Sequence, residues 1–228
     1  MILSRDKKLI YIGVPHTGSS FIHLAAKDVF QHGEVISNTQ VLDHTINTKH
    51  WPVGKIANHF EIDDIQDYKL MIFTRHPYTY HLSDWNLRSR LESCIEECRS
   101  LTEEEIKDKY PDNAEWLIRG KLNKIDRKWD KFSEYLIEVA LNHDYWQPSL
   151  YLRFNDLHLQ DVEYLKFEDF HNSVARVFEV FGYEAPDTSE PFNVGHWSKD
   201  DITQAAQDVL YHRFATDFSL FGYTKNDF

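Results

Sequence analysis

The clearest feature of the sequence is a set of short apolar runs separated by longer stretches of mixed polarity. Leu9–Val14 and Lys69–Thr74 are nearly continuous apolar runs that contain β-branched residues. Runs of this length and composition are typical of strands buried on both faces of a sheet. They predict two buried, parallel strands, and Asp161–Phe167 is predicted to be a third. A further strand is predicted near Val41–Ile46.

Most of the segments between the strands carry apolar residues at helical spacing. Helices are predicted from Phe21 to Val29, over Pro52–His59, from Pro77 to about Arg99, over Trp129–Leu141, over Phe170–Phe181, and from Ile202 to Phe214. Pro77 suits a first helical turn, and Gly182 suits the C-cap of the helix that ends at Phe181. Ser198 is predicted to cap the last helix. Residues 100–127 are charged and predict helical pieces and loops at the surface.

Strands that alternate with helices indicate an α/β fold, with a mostly parallel central sheet flanked by helices. The chain has 228 residues, of which 42% are hydrophobic, so it is long enough for one well-buried core. No repeat, low-complexity segment or linker divides it, and we expect residues 1–228 to form a single domain. In such sheets ligands bind beyond the carboxyl ends of the strands, so the residues that follow each strand are the first candidates for a site.

The first strand is followed by a polar bend, residues 15–20, and then by a helix. A helix N-terminus attracts anions, Gly18 lets a phosphate approach the backbone, and neighbouring hydroxyl groups add donors. The spacing of Gly13, Gly18 and Ser19 resembles that of a Walker A loop, but Ser19 stands where that loop requires lysine. Two interpretations stay open: a loop that binds a phosphate of a nucleotide-like donor, or an ordinary strand–turn–helix with a Ser/Thr N-cap.

A second candidate anion site follows the strand Lys69–Thr74. Arg75 comes directly after this strand, and Ser83 lies eight residues later in the next helix. Arginine binds phosphate bidentately, so the two residues could hold a second phosphate. The alternative is an arginine paired with a surface carboxylate. Because both candidate sites follow strand ends, they can face one pocket.

The net charge of −12 and the pI near 5.5 argue against a general nucleic-acid binder and against a polybasic membrane anchor. A local cluster of arginine and helix N-termini can still attract an anionic ligand. No apolar run approaches the roughly 20 residues of a membrane span. The N-terminal residues lead directly into the first strand without a signal peptide, and we expect a cytoplasmic protein.

Cys94 and Cys98 are the only cysteines and lie four residues apart in a predicted helix. No histidine is close to them in the sequence. We therefore expect a reduced structural pair and no metal site.

Two segments resemble the donor-binding motifs of sulfotransferases that use 3′-phosphoadenosine 5′-phosphosulfate (PAPS). VPHTGSSF, Val14–Phe21, resembles the 5′-phosphosulfate loop of that family, whose usual form is Pro-Lys-Thr-Gly-x-[ST]. TRHPYTYHLSDW, Thr74–Trp85, resembles the 3′-phosphate motif, with Arg, Pro two positions later and Ser at plus eight. VEYLKFEDF, Val162–Phe170, and FATDFSLFGY, Phe214–Tyr223, resemble the branch that modifies carbohydrates. The resemblance covers nearly the whole chain, in order.

The resemblance implies a P-loop-like sulfotransferase fold and a PAPS donor, with PAP as the product. It assigns the 5′-phosphosulfate end of the donor to His16, Thr17, Gly18, Ser19 and Ser20. It assigns the 3′-phosphate, which distinguishes this donor from ATP, to Arg75 and Ser83. No metal is implied. The partner is a carbohydrate or another small acceptor, and no nucleic acid or membrane is involved.

The chain departs from the family pattern at His16, where lysine is usual and neutralises charge on the leaving group. An imidazolium can donate a hydrogen bond and carry charge there, so His16 is a candidate catalytic residue. The departure leaves open a catalytically weakened protein that binds PAP or another nucleotide. A P-loop nucleotide kinase is a further alternative, although the Walker lysine is absent.

His50 is the candidate general base for the acceptor hydroxyl group. It lies in the segment Thr48–Ile56, which resembles a Lys-His segment of carbohydrate sulfotransferases, and an imidazole has a suitable pKa for this role. The reserve candidates are His44, His59 and Glu61. The sequence contains 13 histidines, so most of them serve other roles.

Overall fold

The computed structural model of the chain describes residues 1–27, 29–30, 38–41, 44–47, 50–111, 114, 117–118, 131–141, 149, 152, 161–189 and 202–227. The strands in these ranges are β1 Ile2–Ser4, β2 Leu9–Ile12, β3 Asn38–Val41, β4 His44–Asn47, β5 Lys69–Thr74 and β6 Val162–Lys166. The α-helices with described bounds are α1 Ser19–Lys27, α2 Val53–His59, α3 Pro77–Cys98, α4 Glu103–Lys109, α5 Phe132–Leu141, α6 Phe170–Phe181, α7 Gln204–Arg213 and α8 Ala215–Leu220. None of the described helices is long and apolar enough to cross a bilayer.

A four-stranded sheet in the order β1-β2-β5-β6 forms the centre of the fold. β1 runs antiparallel to β2, whereas β2, β5 and β6 are parallel to one another. The register pairs Ile12 with Ile72 and Thr74 with Lys166, so the carboxyl ends of the three parallel strands lie at one edge. The predicted α/β fold, with a mostly parallel sheet flanked by helices, is confirmed.

Both faces of the sheet are covered, because successive residues of a buried strand point to opposite sides. One face packs against α2, and its core includes Ile10, Ile12, Leu70, Ile72, Val53 and Ile56. The other face packs against α1 and α6, and its core includes Tyr11, Met71, Phe73, Ile22, Val177 and Phe178. This burial on both sides explains why β2 and β5 are continuous apolar runs in the sequence.

Helix α3 leads from the carboxyl edge of the sheet to a second group of helices. Its first half packs against α5, α7 and α8 through a cluster that includes Tyr78, Leu82, Tyr135, Leu210 and Phe218. Its C-terminal end packs against α4 through Ile95, Cys98 and Ile106. Cys98 is buried, Cys94 is partly buried, and neither forms a disulfide.

Two features of the strands differ from the sequence predictions. β1 was not predicted, because its three residues are too few to show a pattern, and it pairs with β2 across a short turn. The single strand predicted near Val41–Ile46 is wrong. In its place β3 and β4 form an antiparallel pair in which Val41 lies opposite His44. Asp43, a residue type that favours turns, falls inside the predicted strand.

The last predicted helix begins two residues later than expected, and a further short helix, α8, follows it. The side chain of Thr203 accepts a hydrogen bond from the backbone N–H of Ala206 and is the N-cap of α7. The prediction that Ser198 caps this helix is therefore wrong; Ser198 itself lies outside the described residues. By contrast, the predicted C-cap at Gly182 is confirmed by its φ of +84°.

Candidate active site

The bend between β2 and α1 is closed by its own polar atoms. Thr17 is fully buried, and its hydroxyl group donates to the carbonyl oxygen of Val14 at 2.8 Å. Gly18 has a φ of +75°, and a Cβ at this position would lie 2.4 Å from Cε2 of Phe170. Two features therefore favour glycine at this position: its left-handed backbone conformation and the ring of Phe170 packed against it.

The N-terminal end of α1 opens from this bend. The carbonyl oxygen of Gly18 accepts hydrogen bonds from the backbone N–H groups of Phe21 and Ile22, at 3.0 and 3.3 Å. The first amides of an α-helix have no acceptor within the helix and carry partial positive charge. Ser19 is buried and Ser20 is exposed. An anion placed here would meet backbone amides first and the exposed serine second.

Arg75 directly follows β5 and reaches the same bend. Its Nη1 donates to the carbonyl oxygen of His16 at 2.7 Å, and its Nε donates to Oγ1 of Thr79 at 3.2 Å. Its guanidinium carbon lies 4.1 Å from the centre of the Phe167 ring. Burial lowers the pKa of Arg75 to about 10, against the opposing charge of Glu168, so the side chain remains a cation at neutral pH. Within the described ranges, Nη2 makes no hydrogen bond.

The structure thus brings the bend and Arg75 together at one edge of the sheet. This was predicted, because each of them follows the carboxyl end of a buried strand. Ser83 lies two turns further along α3, and its half-buried hydroxyl group makes no hydrogen bond to a described residue. Thr79 was not predicted as a site residue. It lies four residues after Arg75, in the first turn of α3, and this spacing could have indicated the contact.

Glu168 ties together the segments behind Arg75. Its Oε1 accepts from the backbone N–H of His76 at 2.8 Å, and its Oε2 accepts from the hydroxyl group of Tyr223 at 2.7 Å. That hydroxyl group also lies 3.3 Å from Oγ1 of Thr74. Burial raises the pKa of Tyr223, so the phenol stays protonated and donates. These contacts fix the backbone on both sides of Arg75.

His50 contacts the bend at the end of β2. Its Nδ1 lies 2.6 Å from the carbonyl oxygen of Gly13. A carbonyl oxygen only accepts, so Nδ1 carries the hydrogen, and Nε2 is the basic nitrogen of the neutral ring.

The reserve candidates for the base are placed differently. His59 is the last residue of α2 and Glu61 follows it after Phe60, whose carbonyl oxygen accepts from Arg5 in the turn before β2. That turn is at the opposite edge of the sheet from the bend. The side chain of His44 is outside the described residues. Of these candidates, His50 is the one with a described contact to the bend.

The ring of His16 contacts α3. Its φ is +61°, in the left-handed region. Its Nε2 lies 3.2 Å from Oδ1 of Asp84, and its ring packs edge-on against Tyr80 at 5.4 Å. Asp84 was not predicted as a site residue. A carboxylate in the middle of a mixed helix gives no sequence signal, and it is 68 positions away from its partner.

No group of three or more His, Cys, Asp or Glu side chains in the described part of the chain is placed to hold a metal ion. The expectation of a metal-independent reaction stays a prediction.

Comparison with known proteins yields one match. A family model described as "Sulfotransferase family" matches residues 1–224. No curated protein and no solved structure matches the chain.

Proposed function

The chain belongs to the sulfotransferase family, and from this premise we propose that it transfers a sulfuryl group from PAPS to a hydroxyl group of a carbohydrate or another small acceptor. The observation that carries the proposal is the hydrogen bond from Arg75 to the carbonyl oxygen of His16. It joins a helix N-terminus and a guanidinium at one edge of the sheet. A nucleotide with anionic groups at both its 5′ and 3′ positions needs two such features side by side.

The 5′-phosphosulfate end of the donor is assigned to residues 16–20 and the 3′-phosphate to Arg75 and Ser83. The first amides of α1 supply donors to an approaching phosphate. Arg75 Nη2 and the Ser83 hydroxyl group are donors without a hydrogen bond to any described residue. The donor set therefore suits an anionic nucleotide, and we propose that residues 1–228 form one domain around it.

His50 is proposed as the general base. The acceptor oxygen forms a bond to sulfur while the bond from sulfur to the 5′-phosphate oxygen breaks, and that electron pair leaves with PAP. The acceptor proton goes to Nε2 of His50. Such a transfer depends on in-line positioning and on charge stabilisation at the leaving group.

A second candidate function is donor binding with little or no turnover. It is favoured by one observation: the residue in the position of the usual lysine is His16, whose ring is engaged by Asp84. A nucleotide kinase is not supported, because Ser19, at the Walker lysine position, is buried and carries no charge.

Calorimetric titration with PAP and with ADP tests the donor. We expect the native protein to prefer PAP by at least about tenfold, since only PAP carries a 3′-phosphate for the guanidinium. Arg75→Ala should lose this preference. The matched control is Arg99→Ala, which removes an exposed arginine at the far end of α3. Equal affinity for PAP and ADP in the native protein would refute the donor assignment.

Turnover separates the two candidate functions. The native protein is incubated with PAPS and a panel of sugars, and PAP release is followed. His50→Asn should bind PAP as the native protein does and should lower turnover by about a hundredfold or more. PAP binding with no release of PAP from PAPS beyond the background would favour the second candidate.

A further inference from the structure

The contact between His16 and Asp84 joins the bend to α3 in a largely buried setting. The two side chains are 15% and 14% exposed, and Nε2 lies 3.2 Å from Oδ1. Within the described part of the chain, Nδ1 of His16 makes no hydrogen bond. Nε2 thus contacts Asp84, whereas Nδ1 is available to a ligand.

Asp84 is held as a carboxylate by His16 and by two further groups. Its Oδ2 accepts from Nε of Arg88 at 2.8 Å and from the hydroxyl group of Tyr135 at 2.5 Å. Burial opposes its charge, but the hydrogen bond from His16, the charge of Arg88 and the hydroxyl group of Tyr135 together keep its pKa well below the usual range. The carboxylate is therefore an acceptor throughout the working pH range.

This acceptor determines what the His16 ring can offer. A carboxylate accepts only, so Nε2 must carry a hydrogen. In the neutral ring the lone pair would then be on Nδ1, which repels an anionic leaving group. In the protonated ring Nδ1–H is a charged donor.

The charged and titratable groups around the ring come from three parts of the chain: the residue after β5, α3 and α5. Arg75, after β5, binds the backbone carbonyl oxygen of His16, and Arg88 neutralises the far oxygen of Asp84. His81, also on α3, is fully buried, and burial lowers its pKa to about 3, so it is neutral at working pH. The other titratable groups near the pair are Tyr80 of α3, packed edge-on against the His16 ring, and Tyr135 of α5, on Asp84.

We propose that Asp84 is a positioning residue, which holds His16 by Nε2 so that the protonated ring presents Nδ1–H to the leaving 5′-phosphate of the donor. Together the two residues replace the lysine that is usual in the bend. The inference rests on the proposed function. In the transfer step His16 keeps its proton: the electron pair of the broken sulfur–oxygen bond stays on PAP, and the acceptor proton goes to the base.

Nitrogen-15 NMR of the histidine rings tests the pair without donor or turnover. In the native protein, ring shifts of His16, assigned with His16→Gln, should show Nε2 protonated at every pH from about 6 to 8.5. A neutral His16 ring with its hydrogen on Nδ1 would overturn the proposal, and this measurement needs no folded Asp84 variant. Asp84→Asn should lower the protonated fraction of His16 at pH about 7.5 by threefold or more. The control Asp108→Asn, which removes an exposed carboxylate of α4, should leave it unchanged.

The pH profile of turnover gives a second, independent readout. The rate of native protein should decline at alkaline pH as His16 loses its proton, and Asp84→Asn should move that decline to lower pH. His16→Lys, a cation throughout the range, should abolish the decline, and adding Asp84→Asn to it should not restore it. An alkaline decline that is identical in native protein and Asp84→Asn would overturn the proposal. Failure of PAP binding would refute the proposed function. The nitrogen-15 shifts of the His16 ring test its contact with Asp84 whether or not PAP binds.

Discussion

The two sides of Arg75 are built in opposite ways. On the side of the bend, Nη2 of Arg75 and Nδ1 of His16 make no hydrogen bond to a described residue. On the other side, which we term the anchor (Thr74, His76, Glu168 and Tyr223), each oxygen of Glu168 accepts from a neighbouring segment. The comparison separates polar groups that we propose bind the donor from polar groups that hold the scaffold. Changes on the two sides should therefore affect binding and stability differently.

The largest effect on stability and on PAP affinity is expected from Gly18→Ala, which changes the bend. The new Cβ would lie 2.4 Å from the Phe170 ring in a backbone with φ +75°. We expect the free energy of unfolding to fall by about 3 kcal/mol and PAP affinity to fall by at least about tenfold, because both the ring and the bend must move. Urea unfolding and calorimetry measure the two quantities.

Gly222→Ala is the matched control. Its φ is +65°, but no atom lies within 4 Å of the added Cβ. It should lose only about 1 kcal/mol, the contribution of the left-handed backbone alone. Equal losses in the two variants would show that the Phe170 contact has no role.

Asp217 of α8 is not part of the anchor, but it is a buried carboxylate that the scaffold satisfies only in part, and Asp217→Asn tests the contrast with Glu168. Oδ1 accepts from the backbone N–H of Ser149 at 3.3 Å, whereas Oδ2 is buried without a hydrogen bond to a described residue. Burial raises the pKa of Asp217 to about 6, although Ser149 opposes the shift. The folded state therefore binds more protons than the unfolded state, and stability is lost as the pH rises from about 4 to about 6.

Asp217→Asn should remove that loss. We expect the free energy of unfolding at pH about 7 to rise by up to about 3 kcal/mol, and the difference from the native protein to vanish near pH 3.5. Urea unfolding at both pH values measures this. Asp108→Asn should show no such pH dependence, and a gain that is the same at both pH values would contradict the assignment.

The smallest effect is expected from Tyr223→Phe on the anchor. The variant loses the hydrogen bonds to Glu168 and Thr74, which should lower the free energy of unfolding by about 1–2 kcal/mol. PAP affinity should stay within about threefold of the native value, since no donor to the ligand is removed. Tyr211→Phe, at an exposed ring of α7, is the control. A loss of affinity without a loss of stability would mean that the anchor is part of the binding site.

The sequence was sufficient for the parts of the fold in which one physical signal dominates. β2 and β5 are buried on both faces, so their apolar runs are continuous and their positions were predicted. β1 was missed because three residues cannot show a period. Ser198 and Thr203 are both acceptable N-caps by residue type, and only the packing of α7 against α5 distinguishes them.

The same limit applies to the site. The bend and Arg75 could be predicted to lie together, because each directly follows a parallel strand and parallel strands end at a common edge. Asp84 could not be predicted, since its role depends on the direction of one imidazole ring from a distant segment. The hydroxyl group of Thr17 was expected to face a phosphate, whereas in the structure it closes the bend on Val14.

The Gly13 carbonyl oxygen that accepts from His50 and the His16 carbonyl oxygen that accepts from Arg75 are three residues apart on one short piece of backbone. His50, the proposed base, and Arg75, the proposed ligand of the 3′-phosphate, are thus both positioned by the same backbone segment and not by a contact with each other. Inserting one residue between these two carbonyl groups would therefore displace His50 relative to Arg75, although every side chain of the site would still be present.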